Sequence, residues 1–242
     1  MRHLVIGSKG EVGAALMEVL AEKHIVEGVD IGPEFKPSGL YEVMHVALPW
    51  SDKFIDIVHR YAQTYLAPGG LIINHSTVPL GTTEKLRPDA VHSPIRGVHP
   101  HLKDGIKTFV KFFGGTRAPN AAQFFYQVGI ECFSSASARD TEAAKLWCTT
   151  AYGLQILIEK AIHKYCVDNG LDFKTVYYDW VITYNVGYQR LGMPYVARPR
   201  LDHVPGPIGG HCVIPNAKII EHWLGDLLIQ TNDTLHKEET GS

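Results

Sequence analysis

The chain has 242 residues, 45% of them apolar and 20% charged, enough for a sizeable core in one or two domains. Lys plus Arg number 23 against 25 Asp plus Glu, a net charge of −2, which argues against the basic footprint of a nucleic-acid binder. No apolar run is long enough to span a bilayer and the N-terminus does not read as a signal peptide. The four cysteines are too scattered for a zinc site or a disulfide framework, so a reduced cytoplasmic protein is expected, with no metal.

In chain order, HLVI (3–6) reads as a buried strand, followed at once by the glycine run GSKGEVG. From Glu11 to about Lys23, Val12, Ala15, Leu16, Val19 and Leu20 recur at helical spacing, and IVEGVD then reads as a strand ending on Asp30. EVMHVALP (42–49) predicts a strand ending at Pro49, the segment from Ser51 to Leu66 a helix, and GLIINHST (70–77) another strand. TTEKLRP predicts a short helix, AVHSP (90–94) and TFVKFFGG (108–115) strands, NAAQFFYQVG a helix and IECFS a last strand. The Gly- and Pro-rich stretch from Asp30 to Glu42 suggests one crossover trimmed to a loop. Such alternation implies an α/β fold, a Rossmann-type doubly wound parallel sheet, over residues 1–137. The remainder, 138–242, reads as a helical second domain for substrate binding and dimerisation. It has a long helix over 140–170 capped by Asp140 or Thr141, a helix over 172–192, a Pro/Arg loop (194–207) and one more helical stretch beyond Pro215.

The strongest chemical signal is the N-terminal turn. Gly7, Gly10 and Gly13 sit between a strand and a helix, where small residues let the backbone approach a pyrophosphate at the helix N-terminus. Asp30, at the next strand end, suits a ribose 2′-hydroxyl and opposes a 2′-phosphate, favouring NAD over NADP, although Lys9 and Lys36 soften that preference. HSTVPLGTT (75–83) lies past a strand end, either as a ligand loop or as a Ser/Thr-rich turn. In VPGPIGGHCVIP (204–215), Gly206, Gly209 and Gly210 expose backbone beside His211 and Cys212. Cys212 is a candidate nucleophile, with a structural thiol as the alternative, and His211 either meets a ligand or bonds locally. Cys132, Cys148 and Cys166 read as small buried hydrophobes, Lys145 by spacing alone as a solvated helical lysine, and His92, His99 and His101 as surface or loop-packing residues.

Together, and in this order, the glycine fingerprint, ALP, STVPLGTT, SP in HSPIRG, EAAKLW and GPIGGHCVIP resemble the UDP-glucose/GDP-mannose dehydrogenase family. The likeness is greatest to its UDP-N-acetylmannosamine dehydrogenase type, in a short form without the C-terminal domain. The resemblance implies oxidation of the alcohol of a sugar or nucleotide sugar by NAD, in a homodimer. It implies Cys212 as the nucleophile forming a thiohemiacetal, Lys145 as stabiliser of oxyanion charge and Thr77 as holder of an active-site water. Pro49 and Ser76 would join Gly7, Gly10, Gly13 and Asp30 at the cofactor. Gly206, Gly209, Gly210 and His211 would meet the substrate, with its charge answered by Arg198, Arg200 and His203. Three positions depart from the pattern: Ile95 replaces a glutamate, Thr149 an asparagine and Asn216 an aspartate. Those losses open two alternatives, a two-electron dehydrogenase or reductase without covalent catalysis and a non-catalytic nucleotide-binding protein.

Overall fold

The computed structural model describes residues 1–32, 37–97, 100–210 and 212–240. The chain divides into two units, Met1–Lys145 and Leu146–Ser242.

The first unit is built on a seven-stranded sheet. Strands β1 (Arg2–Ile6), β2 (Ile25–Val29), β3 (Tyr41–Val46), β4 (Leu66–Asn74), β5 (Val91–His92), β6 (Lys111–Gly114) and β7 (Cys132–Ser135) lie in the order β2-β1-β3-β4-β5-β6-β7. The first five are parallel, as expected. β6 pairs antiparallel to β5 through His92 and Gly114, so β6 and β7 run against the rest of a mostly parallel, Rossmann-like sheet. Between β5 and β6 lies a helix unread in the sequence, α4 (Leu102–Thr108), whose seven residues bury Leu102, Gly105 and Ile106.

Helices α1 (Glu11–Leu20), α4 and α5 (Ala118–Tyr126) cover one face, burying Leu16, Val19, Leu20, Ile106, Phe124 and Phe125 against Val43, Leu71, Ile73 and Phe113. On the other, α2 (Phe54–Tyr65) and α3 (Thr82–Leu86) pack Phe54, Val58 and Leu86 on Leu4, Ile6, Met44, Val46 and Ile72. Side chains alternate along each strand, so Leu4 and Ile6 go to one core while His3 and Val5 go to the opposite face. Chain connections leave β1 for β2 on one side and reach β3 on the other. That order, 2-1-3-4-5, places a topological switch point at the carboxyl ends of β1 and β3, where open α/β sheets hold ligands. Between β2 and β3 no helix occurs among the described residues; Lys36 lies outside them.

Helix α6 (Ala138–Asp168) starts in the first unit and continues into the second. Its start lies two residues before the predicted cap. The Asp140 amide meets Ser137 Oγ at 3.4 Å, and Thr141 is buried in the first turn instead. The second unit continues with a π-helical turn (Lys174–Asp179) running into α7 (Trp180–Arg190), then α8 (Val213–Ile219) and α9 (Trp223–Thr240). The expected single helix beyond Pro215 is two, because Glu221 takes a positive φ of 49° and turns the chain. Leu157, Ile208, Val213, Ala217 and Leu228 form this unit's core. α6 admits α8 and α9 closely at Gly153, where a Cβ would lie 2.5 Å from Val213 Cγ1 and 2.7 Å from Leu228 Cδ2.

Candidate cofactor and substrate sites

The fingerprint turn is tightly constrained. Gly7 has φ +83°, and a Cβ there would lie 2.4 Å from the Ala47 carbonyl oxygen; a Cβ on Gly13 would lie 2.0 Å from the Gly7 oxygen. Gly10 is the N-cap of α1, in extended conformation with no side-chain cap, and its nearest obstacle stands at 3.4 Å. The first turn of α1 thus presents its amides at the switch point. Asp30 follows β2 and accepts from the Lys9 amide at 2.7 Å and the Ile31 amide at 2.8 Å. Each carboxylate oxygen keeps a second lone pair for a ribose hydroxyl. A backbone cradle that any side chain would fill, next to an acid at the adjoining strand end, fits a dinucleotide such as NAD.

Around it, Pro49 follows β3 and Ser76 follows β4. Ser76 is buried and its hydroxyl accepts the Leu48 amide at 3.0 Å, tying the two strand ends together. Thr77 is next along the chain, half-buried. The Ser/Thr-rich loop is held by Glu142, a buried carboxylate of α6 that accepts from the Gly81 amide at 2.6 Å and the Thr83 amide at 2.7 Å. Burial pushes the Glu142 carboxyl above its ordinary value, against the opposing pull of the Thr83 and Gly81 amides. Lys145, half-buried, donates to the Ile95 carbonyl at 2.9 Å, and the Ile95 side chain itself is buried in the core.

A group of buried basic side chains was not anticipated. His3 Nδ1 lies 2.9 Å from His45 Nε2, His45 Nδ1 lies 3.0 Å from His75 Nε2, and His75 Nδ1 lies 2.7 Å from the Ser93 carbonyl. Lys111, also buried, reaches that carbonyl at 3.2 Å and His75 Nδ1 at 3.5 Å. Burial holds His45 and His75 well below the ordinary imidazole range, brings His3 to about 3 and lowers the Lys111 ammonium to about 7. His92 is buried as well, with Nδ1 2.8 Å from Thr141 Oγ1, which corrects its reading as a surface or loop residue; His101 is exposed and His99 lies outside the described residues. The signal was present in the strands, as a histidine in each of HLVI, MHVA and NHST, but needed the register to become visible. Among the described residues no group of His, Cys, Asp or Glu is placed to hold a metal ion, and no helix is long and apolar enough to cross a membrane.

In the second unit, Cys212 is the half-buried N-cap of α8, its carbonyl accepting from the Asn216 amide at 3.0 Å. Asn216, buried, donates to Thr149 Oγ1 at 3.2 Å, so two of the three departures from the family pattern bond to each other. A cavity of about 570 Å³ is lined by Tyr152, Ile156, Glu159, Lys160, Arg200 and Gly209 among others. His203 closes on the buried Glu159 at 2.8 Å and stacks on His163 at 3.7 Å. Lys160 donates to the carbonyls of Val204, at 2.6 Å, and of Gly206, whose φ is +87°. A Cβ would meet open space at Gly209 and Gly210, although the φ of +81° at Gly210 itself favours glycine. Arg200 lies over the Tyr178 ring, while Arg198 lies over Tyr184, 4.1 Å from its centre, away from the cavity lining. His211 lies outside the described residues. Of the remaining cysteines, Cys166 is buried, Cys132 is half-buried with its thiol pushed up to about 11, and Cys148 is exposed, contrary to expectation.

A hollow of about 510 Å³ at the opposite end of the sheet, lined by Met1, Glu42, Gly69 and Arg117, lies at the amino ends of β1 and β3, away from the switch point.

No family model matches the chain, and no curated protein matches it in sequence. Solved structures match it throughout. A UDP-D-ManNAc dehydrogenase from Pyrococcus horikoshii superposes with a TM-score of 0.79 at 18% identity, covering all of this chain and 70% of that one. A UDP-N-acetyl-mannosamine dehydrogenase from Staphylococcus aureus gives 0.69 at 20%, covering 97% and 68%. A 3-hydroxyisobutyrate dehydrogenase from Mycobacterium tuberculosis gives 0.68 at 15%, covering 99% of this chain and 94% of that one. At these identities the likeness establishes the fold: a Rossmann-type α/β sheet followed by helices, as in these dehydrogenases.

Proposed function

We propose that the protein is an NAD-dependent oxidoreductase acting on the alcohol of a sugar or nucleotide sugar, the first unit holding the cofactor and the second the substrate. The observation that carries this reading is the Gly7–Gly13 cradle opening onto α1 beside Asp30. NAD, when bound, supplies the hydride acceptor. The α1 amides would bind its pyrophosphate and Asp30 its ribose, while Lys145 would stabilise negative charge on the substrate oxygen. Thr77, Pro49 and Ser76 stand at the same strand ends. The substrate would occupy the cavity of the second unit lined by Arg200 and Gly209, with Gly206, Gly210 and His203 on the adjoining loop. Exposed Trp147, Ile158 and Tyr165 on α6 suit a homodimer built on that helix. Replacing Asp30 with Ala removes a charged hydrogen-bond acceptor and should weaken NAD binding by about tenfold or more while NADP gains relative to it, read by calorimetric titration.

Cys212 is read as a nucleophile that adds to an aldehyde as a thiohemiacetal, allowing a second oxidation to the acid. A second reading, favoured by the Thr149–Asn216 pair and by buried Ile95 in place of carboxylates, is a single two-electron oxidation in which Cys212 is structural. The number of NADH formed per substrate separates them across a panel of UDP-sugars, GDP-sugars and simple hydroxy acids. Two NADH, falling to one or none in Cys212→Ser, supports the covalent course. One NADH, unchanged in Cys212→Ser, supports the second. Tight NAD binding without reduction by any alcohol would leave a nucleotide-binding protein.

A further inference from the structure

The buried histidines follow from the register of the parallel strands. His3 of β1 stands opposite Val43, and His45 is two residues further along β3; His45 stands opposite Ile73, and His75 is two residues further along the chain from β4. A step of two keeps each ring on the same face, so the rings climb diagonally towards the carboxyl ends of the strands. Phe124 and Phe125 of α5 pack edge-on against them and contribute no charge.

The hydrogen positions follow from one fixed point. A carbonyl only accepts, so His75 Nδ1 carries the proton it gives to Ser93. A neutral ring then has an unprotonated Nε2, which must accept from His45 Nδ1, and by the same logic His45 Nε2 accepts from His3 Nδ1. His3 Nε2 is left as a bare lone pair, and it is the one ring nitrogen of the three without a partner. At the other end, Lys111 and Lys145 hold the carbonyls of Ser93 and Ile95, two residues apart on one segment. Ile95 and Lys111 both line a hollow of about 10 Å³, about the space of one water.

We propose that His3, His45, His75 and Lys111 form a buried one-proton relay running along one face of the sheet from the Ser93–Ile95 segment to β1. The step is a chain of proton transfers with no change of oxidation state. From the form with Lys111 charged and each ring protonated on Nε2, Lys111 gives a proton to His75 Nδ1. His75 Nε2 gives one to His45 Nδ1, His45 Nε2 gives one to His3 Nδ1, and His3 Nε2, buried and unpartnered in the discharged form, gives one to a water molecule that must enter beside it to complete the step. Three rings end protonated on Nδ1, Lys111 ends neutral, and one proton has left; the reverse sequence takes one up. The geometry of the structure is that of the discharged form. Lys111, lowered to about 7, is the member that changes charge, so the charged form belongs below that pH. The groups facing the relay are His24 and the N-terminal amine at His3, His92 at His75, and Cys132 and Lys145 at Lys111. Resting on the dehydrogenase reading, the relay would carry away the proton that alcohol oxidation releases.

The test is nitrogen NMR of the full chain labelled in histidine, from pH 5.5 to 9. Above pH 7 His3, His45 and His75 should all be protonated on Nδ1; below it all three should exchange to Nε2 with one common midpoint. Lys111→Met should hold them on Nδ1 throughout. In His45→Phe, which keeps an aromatic ring among aromatic neighbours, His3 should stop responding while His75 still follows Lys111. Rings that change at separate midpoints, or wild-type rings that never exchange, would overturn the relay. The wild-type titration needs no substitution, so a variant that fails to fold leaves it decisive. If an oxidised substrate is found, kcat should rise with pH through about 7 in the wild type and lose that step in Lys111→Met. Common exchange without any dehydrogenase activity keeps the relay and removes only the reading of the reaction.

Discussion

Gly13→Ala should destabilise the first unit and strongly weaken the proposed NAD binding, whereas Gly10→Ala should leave stability almost unchanged. A methyl group at residue 13 would sit 2.0 Å from the Gly7 oxygen and 2.9 Å from the Ser8 Cα, and both obstacles are backbone. Overpacking against a side chain typically costs about 1–3 kcal/mol, and a main-chain obstacle places this case at the upper end or beyond. Relief requires Gly7 to move, but Gly7 is pinned by its positive φ and by the hydrogen bond from its amide to the Val29 carbonyl at 2.9 Å. A melting temperature lower by roughly 10 °C is expected. NAD affinity should fall by about 100-fold or more, because the amides of α1 would no longer converge. At residue 10 the methyl meets the Gly7 oxygen at an ordinary 3.4 Å, with φ −68°. Thermal melts of the two variants, with and without NAD, read both effects; equal melting losses would mean that the turn is not the constraint described.

Glu142→Ala should destabilise the first unit to a degree comparable with Gly13→Ala. It leaves the Gly81 and Thr83 amides buried without acceptors, at about 1–3 kcal/mol each, so a loss of about 3–5 kcal/mol is expected. Because Gly81 and Thr83 close the loop that carries Ser76 and Thr77, that loop should also become open to amide exchange. The sign of the pH dependence follows from the raised carboxyl. Folding holds the proton more tightly than the unfolded chain does, so the contribution is fully present below the ordinary value of 4.5 and is lost as the pH rises through the folded value. Glu142→Gln keeps one acceptor, should cost less, and should flatten that part of the stability profile in denaturant melts at pH 4 to 7. A profile identical to wild type would show that Glu142 does not titrate there.

Most of the first unit was legible because its strands are short apolar runs broken by turn residues and its longer helices have a clear period. α4 escaped because its seven residues hold barely two turns with no turn residue marking off their end, and the reversal of β6 and β7 rests on a single bridge between His92 and Gly114 that no local pattern shows. The glycine turn proposed for the cofactor stood out because glycine at a strand-to-helix turn has a specific steric use, and the distances make Gly7 and Gly13 obligatory for the turn while Gly10 is not. Lys145 could be singled out only by resemblance, since a lysine on a helix carries no signal until its carbonyl partner is known. The pairing of Thr149 with Asn216 joins residues far apart in the chain, and no local pattern foretells it. The break at Glu221 was hidden for another reason: a non-glycine residue with positive φ leaves no mark in composition.

The linked rings have a consequence for how the sequence can change over generations. Losing His45 strands a ring nitrogen on each side of it, and losing His3 or His75 strands a nitrogen of His45. Single replacements at residues 3, 45 and 75 are therefore each penalised, while joint replacement by apolar residues is not. In any set of relatives these three positions should be inherited as a block, all histidine or all hydrophobic, with residue 111 changing in company with them.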